Sequence, residues 1–245
     1  MSIVVVMAPQ VLSSPAILGI VFDGDDTLWS TERLYDDARA NARRVVTESG
    51  LDGAKWEELE RRIDVENVAT IGFSTERFPT SCVQAYEETS RNEARFPDPG
   101  VARRVRQAAR SVFDLDPPVI SGAREMLTDL RAKGIRLALL TKGDRELQLR
   151  RIQRSGLSDL FDVIEVVSEK SPATILAVVA RLGIDVESAC MVGNSIRSDV
   201  LPALNAGLRA VWINAHVWEY ERASDHLADG RVITLSSLAD IPRVI

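Results

Sequence analysis

Residues 18–28 read LGIVFDGDDTL, and this stretch decides the fold. Its first half, LGIVFD (18–23), is an unbroken apolar run ending in an acid. A strand buried on both faces has this texture, because helices cover both sides and no wet side remains for alternating polar residues. The second half packs Asp23, Asp25 and Asp26 into one short turn. Acids in a turn are commonly solvated or cap a helix. Acids crowded at the end of a buried strand repel one another and attract a cation.

Beyond Leu28 the texture becomes helical. Leu34, Tyr35, Ala38, Ala42, Val45 and Val46 mark one helix face, which Gly50 can stop. Trp56, Leu59 and Ile63 mark a second face. Residues 75–94 suit a third helix, after loop signals at Gly72 and Ser74, and Val101, Val105, Ala108, Ala109 and Val112 mark a fourth. Pro117 and Pro118 then break the chain. After them strands and helices alternate: a helix at about 121–133, IRLALLT (135–141), a helix to Ser155, VIEVV (163–167), a helix ended by Gly183, ACMVG (189–193), a helix at 198–206 and RAVWI (209–213). This alternation predicts an α/β fold, a Rossmann-like parallel sheet core covered by helices on both faces. The helical stretch at 31–118 reads as an inserted all-helical cap domain, leaving 1–30 and 119–245 as the core.

Composition narrows the function classes. The 245 residues are 45% hydrophobic and 27% charged, which fits a globular chain and excludes disorder as its main state. Thirty basic against 36 acidic residues, net charge -6, argue against a nucleic-acid or anionic-membrane partner. Cys82 and Cys190 lie far apart and outside any CxxC spacing, so they read as reduced thiols. The apolar residues 3–7 are too short to span a membrane. Residues 1–16 read as a short leader strand or tail, and the expected setting is the cytoplasm.

Open parallel sheets bind ligands at the carboxyl ends of their strands. Here those ends carry Asp23-Gly24-Asp25-Asp26-Thr27, then Thr141-Lys142-Gly143, then Lys170, then Gly193-Asn194-Ser195 with Asp199 a helical turn later. Taken singly, Thr141 reads as a strand-end hydroxyl, Lys170 as a surface lysine and Asp199 as a first-turn helix acid. As an ordered set, each at a strand end, they converge on one edge of the sheet.

The ordered set resembles the haloacid dehalogenase-like (HAD) hydrolase superfamily over about residues 18–30 and 119–245, and the insert resembles its type 1 helical cap. The resemblance implies a Mg-dependent phosphatase hydrolysing a small-molecule phosphomonoester through an aspartyl-phosphate intermediate. Asp23 would be the nucleophile, and Asp25 would protonate the leaving alcohol and then deprotonate the attacking water. Thr141 would bond a phosphoryl oxygen and Lys170 would supply positive charge. Backbone N–H groups at Gly24 and around Lys142 and Gly143 would cradle the remaining oxygens. The implied cofactor is Mg2+, held by the Asp23 carboxylate, the Asp25 carbonyl, Asn194 and Asp199.

Two departures from the family pattern stand out. Asn194 occupies a position that usually holds Asp, so a retained but weakened magnesium site is expected. Asp26 replaces a frequent Gly and is expected to cap the turn or add negative potential, without a catalytic role. Lys142 rivals Lys170 as the phosphate lysine, with Lys170 preferred because it follows the third strand. Arg77, flanked by Phe73 and Phe78 in a loop-like stretch, is the cap arginine chosen to meet an anionic substrate. Arg33, Arg43, Arg44, Arg61 and Arg62 read as the wet faces of helices. Trp29 reads as an anchor of the cap hinge, and His216 and His226 as solvated or capping. The alternatives left open are 2-haloacid dehalogenase or phosphomutase activity on the same fold, or a catalytically weak metabolite-binding protein. Asp25 and Asp199 favour the phosphatase over the dehalogenase, because a departing halide needs neither a proton nor a metal.

Overall fold

The computed structural model describes residues 15–214, 218–221 and 229–245. The leader expected over residues 1–16 falls almost wholly outside the described residues, as do His216 and His226. In chain order the elements begin with β1 (Gly19–Phe22), α1 (Glu32–Glu48), α2 (Gly53–Glu66), α3 (Val68–Ile71), α4 (Arg77–Asn92) and α5 (Pro99–Arg110). They continue with α6 (Ala123–Ala132), β2 (Arg136–Lys142), α7 (Arg145–Ser155), β3 (Val163–Val167), α8 (Pro172–Leu182) and β4 (Ala189–Gly193). A π-helical turn (Ile196–Val200) leads into α9 (Leu201–Asn205), followed by β5 (Arg209–Ile213), β6 (Val232–Leu235) and α10 (Ile241–Val244).

The strands form one sheet in the order β3-β2-β1-β4-β5-β6, with every pairing parallel. Alternate side chains on the central strands feed two separate apolar layers. Phe22, Leu139 and Val192 pack with α6 and α10 residues on one face, whereas Val21, Leu140 and Met191 pack with α8 on the other. Both faces are dry, which is why these strands read as continuous apolar runs. β1 lies between β2 and β4, so its carboxyl end is surrounded by theirs.

The helices α1, α2, α4 and α5 bury their own cluster, including Ala42, Trp56, Phe78, Cys82 and Val105, with Leu147 of α7 reaching in from the sheet side. The chain enters and leaves this helical block at one place. Trp29 and Val119 form an antiparallel bridge, Ser30 N donates to the Pro118 carbonyl at 2.9 Å, and Ile120 N donates to the Leu28 carbonyl at 2.9 Å.

The structure departs from the sequence pattern in three elements. β6 was not predicted; it is an edge strand in which only Ile233 is buried. The helix expected over 198–206 begins instead with the π-helical turn. Arg77 is not in a loop: it opens α4, and the loop ends just before it.

Candidate active site

Asp23 follows β1 directly and is 6% exposed. Its Oδ1 accepts from the Lys170 ammonium, and its Oδ2 lies 3.1 Å from the Thr27 hydroxyl. That hydroxyl also lies 3.3 Å from Asn194 Oδ1, so it donates to one oxygen at a time. Lys170 ends the loop after β3, where the Ser171 capping box and Pro172 fix the start of α8. Its ammonium also donates to Asp199 Oδ1 at 2.6 Å. The other Asp199 oxygen accepts from Ser195 N at 2.9 Å, which the π-helical turn makes reachable. A Cβ at Gly193 would sit 2.2 Å from Asp199 Oδ2, so glycine is needed for this approach.

Burial pushes the Asp23 carboxyl up to about 7; Lys170 pulls it down, while Asp199 and Asp25 push it up. Lys170 is shifted the opposite way from a lone buried amine. Burial opposes its charge, but Asp199 and Asp23 outweigh burial and hold it above its ordinary range. The result is a dry, charged cluster with more acids than cations.

Asp25 faces the same cavity from the side. Trp29 Nε1 donates to its Oδ1 at 2.6 Å, and Gln148 Nε2 and Arg151 Nη1 reach its Oδ2 at 2.8 and 3.0 Å. Gln148 and Arg151 stand one turn apart on α7, both 2% exposed. Asp144 caps that helix, accepting from Leu147 N at 3.0 Å, and so fixes its first turn. The sequence reading missed both residues, because polar side chains on a helix read as its wet face. Trp29 does anchor the junction with the helical block, and it also fills the space beside Gly24, where a Cβ would lie 2.5 Å from Trp29 Cζ2.

Asp26 lines the same cavity, but its oxygens bond the start of α1. At φ 59° it accepts from Thr31 N (2.8 Å), Thr31 Oγ1 (2.6 Å) and Glu32 N (3.0 Å), tying down the first turn of α1. The expected capping role is what the geometry shows.

A cavity of about 130 Å³ brings together Asp23, Asp25, Thr141, Lys142, Lys170, Asn194 and Asp199 with Arg77 from α4. Gly143 does not join them. Its N–H donates to the Val167 carbonyl at 3.1 Å, so the amide expected to cradle a substrate oxygen instead extends the β2–β3 ladder. Gly24 does not line the cavity either, and its carbonyl accepts from the Thr27, Leu28 and Trp29 N–H groups. Lys142 does not contact Asp23; its ammonium pairs with Glu221 and lies 2.5 Å from Ser198 Oγ. Burial pushes the Glu221 carboxyl up, but Lys142 and the Ser195 and Ser198 hydroxyls hold it below the ordinary carboxylate range. Arg77 is buried, paired with Asp64, with its guanidinium 4.4 Å from the Trp218 ring centroid. Arg43, Arg44, Arg61 and Arg62 form surface ion pairs with neighbouring acids.

Among the described residues, no three His, Cys, Asp or Glu side chains group to hold a metal by themselves. What the cavity offers is oxygen: the carboxylates of Asp23 and Asp199 and the Asn194 amide. That set fits a hard cation that keeps waters and shares a substrate oxygen, and it does not fit a soft one.

A family model described as "haloacid dehalogenase-like hydrolase" matches residues 17–207. The chain is 25% identical over 238 residues to a ribulose-1,5-bisphosphate 5-phosphatase of Halopiger xanaduensis, covering 91% of this chain and 98% of that protein. It is 26% identical to a glyceraldehyde 3-phosphate phosphatase of Methanopyrus kandleri, covering 93% and 97%. Among solved structures, a haloacid dehalogenase-like family hydrolase from Xanthomonas campestris superposes with a TM-score of 0.73 at 30% identity, covering 96% of this chain and 94% of that one.

Proposed function

The chain belongs to the haloacid dehalogenase-like hydrolases, and from that membership we propose that it is a phosphatase acting on a small-molecule phosphomonoester. The relatives named as phosphatases support the reaction class. The observation that carries it is the contact of Asp23 with Lys170, with Asp25 beside them in one cavity.

In this reading Asp23 attacks phosphorus in line and forms an aspartyl-phosphate. Lys170 holds the carboxylate in place and offsets charge on the phosphoryl oxygens. Thr141, buried at the end of β2, bonds one of those oxygens. Asp25 gives its proton to the leaving alcohol and takes one from the water that hydrolyses the intermediate. Trp29, Gln148 and Arg151 hold that carboxyl in position. Mg2+ is the cofactor we infer, with Asp23, the Asp25 carbonyl, Asn194 and Asp199 to hold it; when bound it neutralises charge on the transferring group. Residues 31–118 form the cap in this proposal and residues 1–30 and 119–245 the core, with Arg77 facing the substrate from the cap side. A cytoplasmic setting belongs to the same proposal; no helix among the described residues is long and apolar enough to cross a membrane.

Hydrolysis of an aryl phosphate with and without magnesium tests the reading. Magnesium-dependent turnover that Asp23→Asn abolishes supports it. Halide release from a 2-haloacid, with no phosphate ester cleaved, replaces it with the dehalogenase.

A further inference from the structure

One segment at the cavity belongs to none of the motifs. Glu221 accepts from Ser195 Oγ at 2.5 Å and Ser198 Oγ at 2.6 Å, and it pairs with the Lys142 ammonium. The same ammonium lies 4.1 Å from the ring centroid of Phe73, in the loop between α3 and α4 of the helical block. Phe73 meets Tyr220 edge to face at 5.7 Å, and Tyr220 stacks on Trp218 at 5.2 Å. Trp218 in turn carries the Arg77 guanidinium of α4, while Arg197 covers Tyr220 at 4.0 Å. Two points of the helical block thus rest on aromatic faces of one core segment, and cations sit on those faces.

A lysine at a strand end has a long, rotatable stem, and nothing in the strand fixes its ammonium. Glu221 and Ser198 supply that constraint from the core, and Phe73 supplies it from the helical block. We propose that Glu221 is a positioning residue for Lys142 at the phosphate-facing end of the cavity, and that Trp218 and Tyr220 couple that lysine to the seating of the helical block. The inference rests on the phosphatase reading for the identity of the anion that Lys142 meets. An anion that meets this ammonium meets it where Glu221 and Phe73 hold it, so anion binding and the seating of the block read one group.

The test uses the full chain, with inorganic phosphate as the binding probe and an aryl phosphate as substrate. The Trp218 signal is isolated by comparison with Trp218→Phe, because Trp29 and Trp212, hydrogen-bonded to Asp25 and to the Asn194 carbonyl, also lie beside the cavity. Phosphate is expected to change Trp218 emission in the wild type, and Glu221→Gln and Lys142→Met are each expected to remove that change. Glu221→Gln is expected to raise KM at least tenfold, by more than it lowers kcat, and the double variant to be no worse than the weaker single one. A KM within twofold of wild type, independent multiplication of the two effects, or an emission change that persists in Glu221→Gln overturns the proposal. If Glu221→Gln fails to fold by circular dichroism, Tyr220→Ala decides: a raised KM with a lost phosphate signal supports the coupling, and unchanged values overturn it. The two readings separate cleanly. A Glu221-dependent phosphate signal without turnover of any ester sinks the phosphatase and keeps this device; Asp23-dependent turnover indifferent to Glu221 does the reverse.

Discussion

Lys170 Nζ lies 2.6 Å from Asp199 Oδ1, although 29 residues separate them, and both side chains are almost wholly buried. This contact, with the one to Asp23, sets one buried cation between two buried carboxyl groups. Lys170→Met keeps the stem and removes the charge. It is expected to lower aryl-phosphate turnover on the order of 10³-fold. In metal-free buffer it is also expected to lower stability by roughly 3 kcal/mol, because two buried acids lose their cation. Chemical denaturation and a steady-state assay read both effects, and a variant that keeps wild-type turnover would remove Lys170 from the chemistry.

The amide at position 194 brings an oxygen without a charge. Asn194→Asp is therefore expected to tighten magnesium binding, and Asp199→Ala to weaken it about tenfold or more. Calorimetric titration measures both, and unchanged affinity in the pair would take the β4 end out of the metal site.

Trp29 is predicted to matter through its N–H as much as its bulk. Trp29→Phe fills most of the space but loses the donor to Asp25, so kcat is expected to fall about tenfold with the fold retained. Gly24→Ala pushes a methyl into Trp29 Cζ2 and is expected to lower stability by roughly 1–3 kcal/mol. A thermal melt matching wild type for Gly24→Ala would show that the indole yields without loss.

Glu60 contributes a pH dependence to stability from within the helical block. It is fully buried against Arg39, with Nε donating at 2.6 Å, while its Oε1 has no hydrogen-bond partner among the described residues. Burial pushes its carboxyl up to about 7; Arg39 opposes the shift and Asp64 adds to it. The unfolded chain releases this proton near the ordinary value of about 4.5, so between there and pH 7 the native state holds more protons than the unfolded one. Stability contributed by this group is therefore lost as pH rises across that window and is level above it. Glu60→Gln is expected to flatten the curve there by on the order of 2–3 kcal/mol, read by urea melts at a series of pH values.

Much of this was legible in the residues. The central strands announced themselves because both faces are dry, and the motif residues because they sit where those strands end. The edge strand β6 gave no such signal, since VITL buries one side chain and is too short for a pattern. A π-helical turn differs from an α-helical one in hydrogen-bond register, which side-chain identity does not record. Gln148 and Arg151 were hidden for the opposite reason: charge and polarity on a helix normally mean water, and here they mean Asp25. Gly143 looked like a phosphate cradle until the neighbouring strand claimed its amide.

The bridge between Trp29 and Val119 has a consequence for how such a chain diversifies. Departing and returning backbone run side by side and are stitched by their own hydrogen bonds, so the sheet meets whatever lies between them as a closed loop on a single stem. The strand pairings all lie outside that loop, so on the proposed reading a graft made at positions 30 and 118 would keep Asp23, Asp25 and Lys170 and replace the face that carries Phe73 and Arg77.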